Sequence, residues 1–367
     1  MYSIKEFNLD DRALKEIWIA LENQSDCFVF QSYEWIMYWK QSLINFPETI
    51  KFHILVIYAE EKPVCIFPLQ VRKSFYCLIL EFLGGDQFDY KTPLIDKNFT
   101  SIEKFKELWV LLDANLPKHD LSSLDSLPEY IGSHRNPLTL FKDSRVTNIS
   151  KSINFNDNRD LKIISKRTRK DLARAERRLN ERGSLEFGFT STPDEFLEII
   201  EHTILQKIRR YEETGARNIL LSNQVEDFYR NFNNFQFNKI EISLSYLRLD
   251  SEILATHLGF MYKNRYYFIY PTFNDEYGKY SPGRILLLKL LEKIVDLDIE
   301  VFDLTVGAED YKNKWSNEEM RIFGITSSRT LKGKIFALVI LLSDKIKTST
   351  FFRPLLLRLN KTFRLIK

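Results

Sequence analysis

The sequence predicts a mixed α/β (α+β) fold in which mostly antiparallel strands are flanked by helices. Alternating apolar and polar residues at 240–249, 252–262 and 265–273 predict three consecutive strands. Turns at Asp250–Ser251 and Lys263–Asn264 make these strands an antiparallel meander. An apolar run within YSPGRILLLKLLEKI predicts a buried helix from residue 282, and a short strand, IEVFDLTV, follows it. Because a crossover helix separates them, this last strand is expected to run parallel to its neighbour in the meander.

The first half of the chain also alternates between helix and strand patterns. Its predicted elements are a helix over 33–44, strands over 51–60 and 62–73, a third strand broken at Gly84–Gly85, and a helix over 102–116. Loops and short strands are expected near 115–140. No constellation of reactive side chains stands out in this half.

A basic helix is predicted after a polar, unpatterned stretch at 150–158, which suggests a domain boundary. Eight Lys or Arg and two acids lie between Lys162 and Arg178, and Gly183 is the expected stop. The apolar face of this helix is formed by Leu161, Ile164, Thr168, Leu172, Ala175 and Leu179. Its charges are typical of a solvated face, and an anionic acceptor is the alternative. RNA is less favoured, because stacking aromatics are not interleaved with the charges.

Two further helices are predicted. One covers 193–210 and begins with Pro193, and the other runs through QVEDFYRNF.

Length and composition set the domain organisation. With 367 residues, two domains are expected, at 1–150 and 151–330, followed by a basic amphipathic tail at 331–367. The net charge of +3 does not indicate a partner. The three cysteines have no metal-binding spacing, so we expect no metal and a reducing cytoplasm. The first residues contain acids and lack an apolar core, so no signal peptide is expected.

The start of the helix at residue 282 has unusual chemistry. Ser281 suits the N-cap and Pro282 the first helical position, and Gly283 leaves the first turn without a side chain. Such a turn presents N–H groups at the positive end of the helix dipole and binds phosphate readily. Arg284 adds a cation beside it. An ordinary capped helix start is the alternative interpretation.

Three motifs together carry a family resemblance over about residues 25–325. They are His257 and Gly259 on a strand, then YPTFNDEYGKYSPG, then FDLTVGAEDYK, and the basic helix and FLGGDQFDYKTPLI add to them. The chain resembles GNAT-type acyltransferases of the CelD-like group of cellulose and exopolysaccharide biosynthesis. More distantly it is similar to Fem-type peptidyltransferases, which are tandem GNAT folds. The resemblance implies two GNAT-like domains, the first without catalytic function, an acyl-CoA donor such as acetyl-CoA, and an amine acceptor. It also implies that residues 281–284 replace the usual glycine-rich pyrophosphate loop, next to two strands that splay apart.

The candidate site residues follow from this reading. For catalysis they are His257 as base or substrate contact, Asp303 at a strand end, and Tyr311 as the acid for the leaving thiolate. The CoA-binding set is Tyr280, Ser281, Pro282, Gly283 and Arg284, and the substrate-binding set is Tyr270, Asn274 and Lys312. Structural roles are open for each: a satisfied buried histidine, an ion-paired carboxylate, and ordinary packing for the others.

The sequence therefore predicts a cytoplasmic N-acyltransferase that acts on an amino sugar of a surface polysaccharide precursor. A Fem-type transferase that uses aminoacyl-tRNA is one alternative, and a non-catalytic partner of a polysaccharide assembly machine is another. The tail carries nine Lys or Arg and one acid, a net charge of +8, which leaves −5 for residues 1–330. Such a tail either lies on an anionic membrane face or packs on the domains.

Overall fold

The structure, a computed structural model, describes residues 1–42, 49–74, 76–156, 159–214, 223–307 and 309–338. The chain divides into two compact units. Of the described residues, the first unit contains those within Met1–Asn148 and 321–338, and the second contains those within Ile149–Met320. The predicted boundaries at residues 150 and 330 remain predictions, and most of the predicted tail, residues 339–367, lies outside the described residues.

The first unit is built from a sheet with helices packed against it. Its elements before residue 149 are β1 (Tyr2–Phe7), α1 (Arg12–Gln24), α2 (Tyr33–Ser42), β2 (Ile50–Ala59), β3 (Lys62–Ser74), β4 (Cys77–Phe82), β5 (Leu94–Ile95), α3 (Ile102–Asn115), β6 (Leu121–Pro128), β7 (Tyr130–Ile131) and β8 (His134–Arg135), and β9 (Ser144–Asn154) continues into the second unit. Strands β1 to β4 pair antiparallel in chain order, and β6 joins β4 in parallel. The core of this unit lies between the sheet and α3.

The second unit has helices packed on a mostly antiparallel sheet. Its elements are α4 (Lys166–Asn180), β10 (Leu185–Phe189), α5 (Pro193–Thr214), α6 (Asn223–Arg230), β11 (Ile240–Leu249), β12 (Glu252–Tyr262), β13 (Arg265–Phe273), α7 (Pro282–Ile294) and β14 (Val301–Val306), and β15 (Glu318–Ser328) leads back to the first unit. The strand order is β9-β14-β13-β12-β11-β10. The predicted meander is therefore confirmed, and so is the parallel pairing of β14 with β13.

The predicted start of the basic helix was wrong. The polar stretch at 150–158, which was predicted to be unpatterned, begins in a strand, because residues 150–154 pair antiparallel with β14. The basic helix begins at Lys166 and not at Leu161, because the Ser165 hydroxyl accepts a hydrogen bond from the Thr168 N–H at 3.1 Å and caps the helix. Leu161 lies before it with a positive φ of 53°.

Helices α5 and α7 pack on opposite faces of the second sheet. The Thr203 hydroxyl of α5 lies 2.7 Å from the Thr256 hydroxyl of β12. The neighbouring Ala255 belongs to the core cluster that contains the leucines of α7. Since successive residues of a strand point to opposite faces, the two helices cover different sides.

Strands β13 and β14 part after three residue pairs. The parallel register ends at Tyr267 opposite Asp303, whereas β13 continues to Phe273. Beyond Asp303, β14 stays paired with β9, so a gap opens along the edge of residues 268–273. Pro271, which has no N–H to donate, stands on this edge.

Candidate functional site

A cavity of about 380 Å³ lies at the gap between β13 and β14. Its wall includes Phe268, Pro271, Thr272 and Phe273 of β13, Ser281–Arg284 at the start of α7, Leu286 and Leu287, Lys207 and Arg210 of α5, Thr256, Gly278, Glu309 and Tyr311. Residues from both faces of the sheet thus line one space. The predicted phosphate-binding turn and the predicted acid Tyr311 border the same cavity.

The start of α7 leaves polar groups available to a ligand. Pro282 stands at the first position as predicted, but Ser281 adopts a left-handed φ of 53° and its side chain makes no capping bond. The Arg284 and Ile285 N–H groups reach the Ser281 carbonyl at 3.0 and 3.1 Å. The Gly283 N–H has no acceptor among the described residues. A Cβ at Gly283 would lie 3.3 Å from the Phe273 ring, so this glycine also permits close packing on β13.

Arg284 supplies a cation at this turn. Its side chain is half-buried, and its Nε is buried without a hydrogen-bond partner among the described residues. A buried donor left unpaired costs about 1–3 kcal/mol. An anion that accepts from this guanidinium would recover that cost.

Two more cations enter the cavity from α5. Lys207 Nζ lies 4.5 Å from the centre of the Tyr270 ring and 5.8 Å from that of Tyr211. Burial lowers the pKa of Lys207 to about 8. Arg210 lies over the Phe273 ring and donates to Asp275 at 3.3 Å. With Arg284, three cations line the cavity, and Glu309 is the one carboxylate among the described lining residues. Even with Asp275 paired to Arg210, the cations outnumber the carboxylates, so the cavity favours an anionic ligand.

The carboxylate of Glu309 is held at the rim by a buried lysine. Lys312 Nζ lies 2.9 Å from Glu309 Oε2 and donates to the Val306 carbonyl at 3.1 Å. Gly307 has a φ of 139°, and a Cβ there would stand 2.2 Å from the same carboxylate oxygen, so only glycine suits this turn. Lys312 was predicted to bind substrate. Here it lies in the protein interior and positions Glu309, and it does not line the cavity.

Tyr311 presents a protonated hydroxyl to the cavity. Burial raises its pKa, and the negative charge of Glu309 raises it further. The hydroxyl is therefore protonated at neutral pH, which is the form that a general acid requires.

His257 is buried on the α7 face of the sheet. Its ring stacks on Phe268 at 4.0 Å, and its Nδ1 lies 3.3 Å from the Tyr266 hydroxyl. The Nε2 atom is buried without a partner among the described residues. Burial lowers the pKa of His257 well below its usual range, so the ring is neutral at pH 7. It lies behind a cavity residue, Phe268, and does not line the wall.

Asp303 is an ion-paired carboxylate at the point where the strands part. It is 1% exposed, lies 2.8 Å from Arg265 Nη1, and accepts from the Thr305 N–H at 2.8 Å. Thr305 has a positive φ of 61°. These contacts hold the bend that turns β14 away from β13. Neither Asp303 nor His257 is among the described residues that line the cavity.

The other predicted residues support the walls. Asn274 caps the turn Asp275–Tyr280 through the Glu276 N–H at 3.1 Å. The Tyr280 hydroxyl accepts from Arg182 at 2.9 Å. Tyr270 is buried below Lys207, stacked on Tyr229 at 4.6 Å.

Sequence reasoning missed Lys207, Arg210 and Thr256 as cavity residues. Lys207 and Arg210 occur in LQKIRRY on a helix distant in sequence from the motifs. The available signal was their spacing, because two cations three residues apart lie on the same face of a helix.

Comparison with protein families identifies the class of the domain that holds this cavity. A family model described as an acetyltransferase (GNAT) domain matches residues 166–313. The match covers fewer than half of the residues of the chain and all the cavity residues. The predicted enzyme class, a GNAT-type N-acyltransferase, is confirmed by it. The narrower resemblance to the CelD-like group stays a prediction, and no curated protein matches the sequence.

Solved structures show the same fold over most of the chain. FemX aligns with a TM-score of 0.59 at 11% identity, covering 91% of this chain and 99% of FemX. L-PGS from Bacillus licheniformis aligns with a TM-score of 0.52 at 13% identity, covering 90% and 96%. The C-terminal domain of a putative lysylphosphatidylglycerol synthetase from Agrobacterium fabrum gives 0.51 at 11% identity, covering 92% and 98%. At these identities the likeness concerns the fold alone. The predicted mixed α/β fold, a mostly antiparallel sheet flanked by helices, is confirmed, and a GNAT-like domain is shown for residues 166–313. That the first unit is a second GNAT-like domain stays a prediction.

The described residues contain neither a metal-binding cluster nor a membrane-spanning helix. No group of three or more His, Cys, Asp or Glu in the described ranges is placed to hold a metal ion. Among the described helices, none is long and apolar enough to span a membrane.

Proposed function

We propose that the second unit transfers an acyl group from acyl-CoA to an amino group. The observation that carries this proposal is the cavity itself. Among the described residues, it joins a strand edge without a partner strand, residues 268–273, to a helix start where the Gly283 N–H and the Arg284 Nε have no hydrogen-bond partner.

Each part of acyl-CoA has a matching part of the wall. The diphosphate binds at the Gly283 N–H and Arg284, where the helix dipole favours negative charge. The amides of the pantetheine arm pair with the edge of β13 as an added strand would. Arg210 and Lys207 add positive charge along the cavity.

The chemistry requires a neutral amine and a proton for the leaving thiolate. Glu309, exposed at the rim, accepts the proton of the acceptor ammonium, and Lys312 fixes its position. The amine attacks the thioester carbon, the C–S bond breaks, and Tyr311 donates its proton to the thiolate. The second proton, which the nitrogen loses as the amide forms, restores the Tyr311 hydroxyl. His257 and Asp303 remain predicted catalytic residues. The contacts of His257 support a role in positioning Phe268, and those of Asp303 support a role in holding β14 away from β13.

For the acceptor we propose an amino sugar of a surface polysaccharide precursor. The support is the resemblance to the CelD-like group and the charge of α4. Six of its cations are exposed: Lys166, Arg167, Lys170, Arg174, Arg177 and Arg178. This face suits a precursor that carries phosphate.

The alternative donor is aminoacyl-tRNA. The basic face of α4 is the observation that favours it, since such a face also suits a nucleic-acid backbone. Binding separates the two: if the donor is acyl-CoA, labelled acyl-CoA binds and free CoA displaces it, whereas if the donor is tRNA, labelled aminoacyl-tRNA binds and acyl-CoA does not.

We further propose that the protein works at the cytoplasmic face of an anionic membrane. Residues 331–338 form a helix anchored on the first unit by Phe336 and Ala337. Its outward residues Leu331, Ile335 and Leu338 are 74%, 60% and 60% exposed. An apolar stripe beside Lys332 and Lys334 suits insertion between anionic headgroups.

Thiol release tests the proposed reaction. The purified protein is mixed with acetyl-CoA and a panel of amines that includes glucosamine, and free CoA is followed with a thiol reagent. Amine-dependent release is expected. The absence of release together with unchanged acyl-CoA would contradict the proposal.

A further inference from the structure

Lys207 is a primary amine in the wall of the proposed acyl-CoA cavity. No carboxylate of the described residues lies within ion-pair distance of its Nζ, and its close neighbours are the rings of Tyr270 and Tyr211. The charged groups that act on it are Glu309 on the loop after β14, Lys312, and Arg210 on its own helix. The amine is therefore held in place mainly by aromatic rings.

The surroundings make this amine a nucleophile near neutral pH. Its pKa is lowered to about 8, mainly by burial; Glu309 opposes this shift, and the neighbouring cations Lys312 and Arg210 add to it. Near pH 8 about half of the molecules then carry a neutral amine, against less than about 1% for a lysine with an ordinary pKa near 10.4. Acyl transfer from a thioester needs the neutral form.

The position of Lys207 matches the acyl end of the donor. The diphosphate site is at the start of α7, and α7 and α5 lie on opposite faces of the sheet. A donor that enters along α7 and passes through the gap between β13 and β14 emerges toward α5. Lys207 of α5 and Thr256, which contacts α5, line that side of the cavity, and Tyr311 belongs to the same wall.

We propose that Lys207 is itself an acyl acceptor, so that the enzyme acylates its own cavity when no acceptor amine is bound. This inference rests on the proposed function. Neutral Nζ attacks the thioester carbon, a C–N amide bond forms and the C–S bond breaks. The proton that the nitrogen loses goes to the CoA thiolate, which leaves as the free thiol. No oxidant or reductant takes part.

Acylation would change the cavity in two ways. It removes one of three cations, and it places an amide and an acyl group beside Tyr270. The acyl group takes up space on the α5 side of the cavity, where we expect the acceptor amine to enter. Neither change alters the start of α7. The adduct would therefore block acceptor entry while CoA still binds.

Mass spectrometry of the whole protein tests this inference. The protein is incubated with acetyl-CoA at pH 8 without any amine, and the adduct is located by peptide mapping. One acetyl group at Lys207 is expected, with one free thiol released per adduct. Lys207→Arg should lose the adduct, and Lys289→Arg, which changes a lysine paired with Glu176 outside the cavity, should retain it.

The pH dependence and CoA binding distinguish the possible failures. The rate of adduct formation should rise up to about pH 8 and level off above it, whereas surface lysines continue to gain reactivity toward pH 10. If CoA binds by calorimetry but Lys207 stays unmodified, or only surface lysines react, this inference is overturned and the proposed function stands. If CoA does not bind at all, both are overturned.

Discussion

Arg284→Ala removes the cation that we assign to the CoA diphosphate. The guanidinium is half-buried, and its Nε has no partner among the described residues. A hydrogen bond to a charged group contributes about 1.5–3 kcal/mol. At 1.4 kcal/mol for each factor of ten, the dissociation constant for CoA should rise roughly ten- to hundredfold. The fold should not suffer, because the substitution also removes a buried donor that lacks a partner.

Calorimetry with two ligands makes the assignment specific. CoA carries the diphosphate and pantetheine does not, so Arg284→Ala should weaken CoA and leave pantetheine affinity unchanged. Lys289→Ala, on the same helix but paired with Glu176, is the matched control and should alter neither. Unchanged CoA affinity in a folded Arg284→Ala protein, or equal losses for both ligands, would refute the reasoning.

Three further predictions concern chemistry, stability and location. Glu309→Gln should lower kcat by a factor of roughly 10²–10⁴ and leave CoA affinity unchanged, as expected of a general base. The control Asp310→Asn, at an exposed neighbouring carboxylate, should not lower kcat. Equal activities of the two variants in the thiol assay would exclude Glu309 as the general base. Asp303→Asn breaks a buried ion pair with Arg265 and should lower the free energy of unfolding by about 3 kcal/mol in urea titration; unchanged stability with lost turnover would instead make Asp303 a catalytic group. Replacing Leu331, Ile335 and Leu338 by Ser should abolish sedimentation with anionic liposomes at low salt, and retained sedimentation would assign any binding to the residues beyond 338.

Local patterns predicted most of the second unit correctly. The stretches of alternating apolar and polar residues correctly predicted β11, β12 and β13. Pro193 and Pro282 correctly predicted the starts of α5 and α7. These signals depend on residues close in sequence. The start of α4 was misplaced because apolar spacing at Leu161 and Ile164 continued past the Ser165 cap.

Contacts between residues that are distant in the chain could not be predicted from the sequence. Strand β9 is polar because its residues meet partners distant in sequence, such as Lys151 with Glu319 at 2.6 Å. The pair of Arg265 with Asp303 and the placement of Lys207 in the cavity also join residues far apart in the chain. The helix start at Ser281–Arg284 was predictable, because all of its groups belong to one turn.

The most direct test of the account is a crystal structure of the protein with CoA. We predict the diphosphate within hydrogen-bond distance of the Gly283 N–H and the Arg284 guanidinium, and the pantetheine arm along residues 268–273 with its sulfur toward Lys207 and Tyr311. CoA bound away from the start of α7, or pantetheine that leaves the edge of β13 unpaired, would contradict the account.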